Sequence, residues 1–270
     1  MLDLLDSSKT YGDVCVMTAE ISMICRYPVK SLSPEQLQRT EVEIDGALPG
    51  DRRFALALGS TLFDGAKPHW LPKSSFLALV KNEKMAALET IFDDQCHDLQ
   101  ILRDGKQVAH GNLTDPLGRA IIEDFFSAYM KEQSRGKPRL VDAKDKSIFT
   151  DQKKKMISII NLASIRDLER VAGQPVDPTR FRANLYIDGI DPWMEFGWIG
   201  NDVVCGEAGF NIKERIGRCA AINVNPDTGE RDLNLVNALH DGFGHADLGI
   251  FATVTQGGQF SVGDSLALQD

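Results

Sequence analysis

The chain has 270 residues, 43% hydrophobic and 26% charged, with a formal net charge of −9. These values fit one large or two small globular domains and exclude collagen-like and disordered classes. The acidic balance argues against nucleic acid as a partner. No run approaches the roughly 18 apolar residues of a membrane span, and the first eight residues carry acids where a secretory signal has lysines. A cytoplasmic chain with no membrane partner is therefore expected. The five cysteines (Cys15, Cys25, Cys96, Cys205 and Cys219) are widely spaced and form no CxxC pair, which argues against a disulfide framework or a cysteine-rich zinc site.

Residues 1–19 read as a weakly ordered polar tail. Residues 21–28 read as a strand ending at Pro28, and residues 42–44 and 54–58 as further strands around the turn-forming stretch 45–51. Residues 76–80 read as a buried strand. Asp104-Gly105, between apolar stretches at 99–103 and 107–109, is the chemistry of a two-residue hairpin turn. A helix is expected to start near Thr114, with Thr114 or Asp115 as cap and Pro116 in the first turn, and to run through Met130. Residues 131–155 then hold nine Lys or Arg against four Asp or Glu, a local charge of +5. This composition places a charged linker at 136–155, between an N-terminal domain at 20–135 and a second domain at 156–270. A solvated linker explains the charges better than a docking surface, since charge blocks are usually only exposed.

The second half opens with a strand at 156–160. A helix follows, with Ser164 in cap spacing and Gly173 closing it. Polar and apolar residues alternate from Arg180, which in a strand puts Arg180, Arg182 and Asn184 on one face. Short glycine-separated segments continue to the C-terminus, and many short strands with few helices suggest barrel-like β structure. The expected class is β-rich α+β.

No GxGxxG, GxxxxGK[ST], HExxH or GxSxG motif occurs, and the five histidines form no metal-ligand pair. Cys219 follows Arg218, with Arg215 close by. A cationic setting favours the thiolate, the form that binds soft transition metals. On composition alone an inert buried cysteine is the default reading. Lys30-Ser31, Arg52-Arg53, Arg182 and Asn184 have the chemistry to grip a phosphate, although each alone reads as a surface polar group.

Taken together these residues resemble a known family. The stretch Tyr27-Pro28-Val29-Lys30-Ser31-Leu32, followed by Gly50-Asp51-Arg52-Arg53-Phe54, is similar to the N-terminal β-barrel domain of MOSC proteins. Phe181-Arg182-Ala183-Asn184 resembles the family's F-R-x-N element, and Arg218-Cys219 ahead of Val224-Asn225-Pro226-Asp227-Thr228-Gly229 resembles its cysteine element. Phe243-Gly244 and Val262-Gly263-Asp264 resemble its closing pattern. The pattern is similar to that of the YcbX-type and amidoxime-reducing-component molybdenum enzymes. The resemblance implies an N-terminal β-barrel-like domain packed on a MOSC β-barrel domain, with a few helices. It implies a molybdenum cofactor (Mo-molybdopterin), with Cys219 as metal ligand and catalytic residue. Lys30, Ser31 and Arg53 would hold the cofactor phosphate, Arg182 and Asn184 the pterin, with Arg218 beside the ligand and Ser164 at a further contact. Lys73 stands where relatives carry an arginine, without its bidentate fork.

The implied reaction is reduction of a small N-hydroxylated substrate. The alternative is a cofactor carrier or sulfur-handling protein without turnover of its own. No cysteine follows Cys219, so no iron–sulfur cluster is expected, and no pyridoxal phosphate half is present, so PLP is not expected. With no Rossmann fingerprint either, electrons would come from a separate ferredoxin or flavodoxin-like protein, for which Lys153, Lys154 and Lys155 offer a dock.

Overall fold

The computed structural model describes residues 18–144 and 148–269. The tail expected at 1–19 lies, apart from Thr18 and Ala19, outside the described residues. Seven strands close a barrel: β1 (Ala19–Arg26), β9 (Ile157–Asn161), β10 (Leu185–Asp188), β11 (Asp202–Cys205), β12 (Ala208–Gly217), β13 (Asp247–Gln256) and β15 (Ser265–Leu268). Around the ring the order is β10-β9-β13-β12-β11-β15-β1, and β1 pairs back onto β10. All of these pairings are antiparallel except that of β9 with β10. The barrel is filled by Ile21, Ile24, Ile157, Ile159, Leu185, Ile187, Phe210, Ile212 and Ile250 from alternate strand positions, and closure leaves these strands without a free edge.

The remaining strands flank this barrel. β2 (Glu35–Leu37) extends the sheet from β1, and β3 (Arg39–Val42) pairs with β14 (Gly258–Ser261). β4 (Phe54–Ala57) pairs with β8 (Arg139–Asp142), and β5 (Glu89–Asp93), β6 (Asp98–Arg103) and β7 (Lys106–Asn112) form a meander. The β6–β7 hairpin turns on Asp104 (φ 51°) and Gly105 (φ 71°), as its sequence demands. Helix α1 (Pro116–Met130), capped by Asp115, lays Ile122 and Phe126 against Leu56, Leu99 and Ile101 in a second core. Helices α2 (Leu162–Ala172) and α3 (Leu235–Phe243) cover the outside of the main barrel and bury Ile165, Leu168, Leu235 and Leu239 around Tyr27, Phe181 and Tyr186. Among the described residues no helix is long and apolar enough to cross a membrane.

Several elements differ from expectation. Residues 76–79 are buried and Val80 is half-buried, but the segment meets a strand only at the bridge Ala57–Phe76. A single turn at Lys73–Ser75 precedes them, and Asn82 Oδ1 accepts from the Ala78 amide at 2.9 Å to end them in a turn. An apolar run of this length signals burial without deciding the backbone. The third strand ends at Val42, leaving Ile44 64% exposed. The alternating stretch from Arg180 is not a strand until Leu185: Pro178–Phe181 form one helical turn capped by Asp177, and Arg182 sits at φ 53°. Proline after a capping aspartate initiates a turn and overrides the alternation. The segment expected as a linker carries β8, with Leu140, Val141 and Phe149 buried.

The meander and α1 meet through two glycines. A Cβ on Gly111 would lie 2.5 Å from the Gly118 carbonyl oxygen, so β7 and α1 approach as close as backbone allows. Gly111→Ala is expected to cost about 2–3 kcal/mol through overpacking, read as a lower urea midpoint with an unchanged slope. An unchanged midpoint would mean the two elements separate without penalty.

Candidate functional site

A cleft of about 220 Å³ opens where the barrel rim meets the N-terminal elements. Seven lysines and arginines line it against a single acid, Asp151, among the described residues. Four of the seven have carboxylate partners: Lys30 and Lys73 share Asp151 at 3.0 and 3.1 Å, Arg52 holds Asp51 at 2.5 Å, and Arg180 holds Asp232 at 2.7 Å. Among the described residues, Arg182, Arg218 and Lys154 form no ion pair.

Arg182 leaves the Pro178–Phe181 turn in the left-handed region and donates through Nη1 to the Leu32 carbonyl at 2.7 Å. Its guanidinium lies over the Tyr27 ring at 4.2 Å, and that of Arg52 lies over the same ring at 4.5 Å. Arg52 Nη2 donates to the Arg182 carbonyl at 2.7 Å. Arg182 Nη2 is buried with no hydrogen-bond partner. Burial, reinforced by its neighbour Arg52, pushes the Arg182 pKa down to about 10, the direction expected of a desolvated cation.

Arg218 follows the end of β12, and its amide donates to the Ala246 carbonyl at 2.7 Å. Its side chain donates to the carbonyls of Leu248 and Phe181 at 2.8 and 2.9 Å, so hydrogen bonds are satisfied while the charge is not. Burial lowers its pKa to about 10 as well. The approach needs Gly249, at φ 82°, where a Cβ would lie 2.6 Å from the Ile159 oxygen and 3.2 Å from Arg218 Nη2. Cys219 comes next, half-buried, at the start of a single turn over Ala220–Asn223. Lys73 Nζ donates to its sulfur at 3.8 Å. Burial opposes charge on Lys73, but Asp151 and then Cys219 raise its pKa overall. Lys30 is buried, donates to the Phe149 carbonyl at 2.8 Å, and has its pKa lowered by burial despite Asp151.

The cleft thus gathers Cys219, Lys30, Ser31, Arg182, Asn184 and Arg218. Ser31 donates to the Leu77 carbonyl at 3.2 Å and ties down one wall. Asn184 is spent on the scaffold: its Oδ1 accepts from the Ser158 amide and hydroxyl at 3.2 and 2.8 Å, and Nδ2 donates to the Cys25 carbonyl at 3.3 Å. Two expected residues lie elsewhere. Arg53 does not line the cleft; it pairs with Asp142 and meets His97. Arg52, at φ 47°, takes the position in the cleft. Ser164 does not cap α2, which Asn161 does; its hydroxyl donates to the buried Glu195 carboxylate at 2.8 Å, away from the cleft. Sequence reasoning also missed Asp151, whose one signal was an acid standing in a basic segment.

Comparison with known proteins agrees with this architecture. The model of the MOSC domain matches residues 144–267, and that of the MOSC N-terminal beta barrel domain matches residues 18–102. The chain belongs to the MOSC family. One stretch, 35% of this MOSC chain, is 33% identical over 101 residues to a molybdenum cofactor sulfurase of Caenorhabditis elegans, and the match spans 14% of that protein's length. Among solved structures, the YUAD protein from Bacillus subtilis is similar over 93% of this chain and 96% of its own, at 12% identity and a TM-score of 0.45. YiiM from Geobacillus stearothermophilus is similar over 42% of this chain and 54% of its own, at 19% identity and a TM-score of 0.33.

Asp151 joins two lysines, so its removal leaves both without a counter-charge. The Asp151 side chain is 49% exposed, which holds the expected loss in Asp151→Asn to about 1 kcal/mol. Burial raises the Asp151 pKa, but Lys30 and Lys73 outweigh it and leave the folded value lowered. The stabilisation is therefore present above the ordinary carboxylate pKa of about 4 and is lost as pH falls through the folded value. Thermal melts of wild type and variant should differ at pH 7 and converge below about pH 4. A gap that is constant with pH would assign the loss to something other than charge.

Proposed function

We propose that this MOSC protein is a molybdenum-cofactor-dependent oxidoreductase that reduces N-hydroxylated compounds with electrons from a separate donor. The observation that carries this reading is the pairing, in one cleft, of a half-buried thiol with a buried guanidinium nitrogen that has no partner. A molybdopterin is an anion with a phosphate end and a soft metal end, and the donor set fits both. Arg182, Arg218 and Lys154 supply positive charge that no carboxylate among the described residues neutralises. Cys219 supplies the soft donor. Among the described residues no group of three His, Cys, Asp or Glu could hold a metal, which suits a metal whose other ligands come from its own cofactor. The sulfurase relative is a second support for this cofactor class.

When bound, the cofactor would supply two-electron oxygen removal. The chain's own residues do the rest. Cys219 Sγ would anchor the metal end, while Arg182, Lys30, Arg52 and Arg218 would orient the anionic end. Reduction of an N–OH group to N–H takes up two electrons and two protons and releases water. Lys73 Nζ, an ammonium 3.8 Å from Cys219 Sγ and backed by Asp151, is placed to give a proton to the departing oxygen. Lys154 is exposed and lines the cleft, and its exposed neighbour Lys153 lays Nζ over Trp70 at 5.4 Å. They would dock an acidic donor and mainly raise its association rate.

The second reading, a cofactor carrier or sulfur-handling protein without turnover, is favoured by the name of the sulfurase relative. Turnover separates the two. With dithionite-reduced viologen and a benzamidoxime the protein should produce benzamidine, and with NADH alone it should be inert. Cofactor-loaded protein without viologen-driven turnover would support the carrier. Cys219→Ala should fold and lose turnover, while Cys205→Ala, in the barrel core, should keep it.

Loss of one charged phosphate contact costs about 1.5–3 kcal/mol, roughly tenfold to a hundredfold in affinity. Lys30→Ala combined with Arg182→Ala should therefore strip the cofactor during gel filtration, whereas Arg53→Ala should retain it. Equal retention in all three proteins would move the phosphate elsewhere.

A further inference from the structure

A second cavity adjoins the cleft. The two share Lys73, Ala78 and Val80 as a common threshold. Its apolar floor is Leu58, Phe76, Ala78 and Val80, and its rim carries Lys81 and Arg135 with Glu132 as the one acid. Among the described residues neither Lys81 nor Arg135 forms an ion pair. Arg135 is held in the left-handed region at φ 50°, a conformation that arginine adopts only when its surroundings impose it. Asn82, buried in the turn that ends the threshold segment, reaches the rim through Nδ2 to Gln133 Oε1 at 3.4 Å. The segment 76–80 is apolar yet forms no ladder beyond one bridge. Phe76, Leu77 and Leu79 pack into the cores, while Ala78 and Val80 line both cavities.

We propose that this second cavity is a binding subsite for a small ligand with an apolar or aromatic body and a carboxylate, seated with the carboxylate between Lys81 and Arg135. Two cations that lack partners at the rim of an apolar floor select such a molecule over a neutral one of the same shape, because the carboxylate gains charge-assisted hydrogen bonds while the body gains burial. Arg135 offers the bidentate fork and Lys81 a point charge. The threshold carries the small Ala78 beside Lys73, whose ammonium touches Cys219. A ligand seated here therefore directs its opposite end toward the thiol. Taking the ligand to be the substrate rests on the reductase reading; the subsite itself does not.

The test uses the purified full chain, with 3-phenylpropionate and the neutral 3-phenylpropan-1-ol as probes, titrated by calorimetry at moderate salt. The acid should bind at least tenfold more tightly than the alcohol. In Lys81→Ala combined with Arg135→Ala, both exposed positions where folding is not at risk, that preference should vanish while the alcohol binds as before. In Arg182→Met it should persist, which separates this subsite from the cationic cleft. Equal binding of the two probes, or a preference that survives the rim variant, would overturn the proposal. The reductase reading is tested apart, by viologen-driven turnover of an amidoxime bearing the same phenylpropionate body. Absent turnover with retained binding sinks that reading and leaves the subsite standing. Turnover without acid preference does the reverse.

Discussion

An arginine removed from water with no counter-ion is the constraint on which this structure turns. Arg182 is buried against Tyr27, shares that ring with Arg52, and keeps one guanidinium nitrogen without a partner. Such a group costs several kcal/mol unless something neutralises it. The one acid lining the cleft among the described residues, Asp151, is committed to two lysines, and outside it Asp51 pairs with Arg52 and Asp232 with Arg180. Among the described residues no ion pair neutralises Arg182, and the proposed anionic cofactor would supply that charge.

The barrel exists to hold this imbalance in place. Two of its strands lead into the cleft: β1 runs on to Tyr27 and Lys30, and β12 runs on to Arg218 and Cys219. Residues 178–184 turn sharply before β10 and deliver Arg180 and Arg182. Arg218 then ties β13 to that turn through the Leu248 and Phe181 carbonyls. The same residues that carry charge also carry the hydrogen bonds that fix the rim, so the cleft is rigid at the thiol end. Its opposite wall, residues 73–82, runs through turns and one bridge rather than a strand ladder. Lys73, where the family resemblance implies an arginine, lies on this wall.

Much of this was legible in the sequence, and the failures have physical causes. The Asp104-Gly105 hairpin and the Asp115-Pro116 helix start are local chemistry, and both formed as written. Cys219, Arg182 and Lys30, singled out because their neighbours form recurring motifs, come together in one cleft. The alternation at 180–188 misled because Asp177-Pro178 starts a turn that period-two counting cannot see. Arg52 rather than Arg53 lines the cleft, and two arginines in a row give no sign in sequence of which one turns inward. The segment expected as a linker carries a strand and buries Leu140, Val141 and Phe149, a burial that the net charge of +5 over residues 131–155 outweighed in the sequence. Asp151 was overlooked for the same reason, since its role is set by two lysines about 80 and 120 residues away in sequence.

The most direct measurement is quantitation of metal and pterin in wild-type protein purified from a host that makes the molybdenum cofactor, by elemental analysis and by fluorescence of the oxidised pterin. Near-stoichiometric molybdenum with one phosphorylated pterin per chain is expected, both falling away in Arg182→Ala. Protein that repeatedly purifies without either, while its cationic cleft remains folded, would contradict the assignment of that cleft to the cofactor.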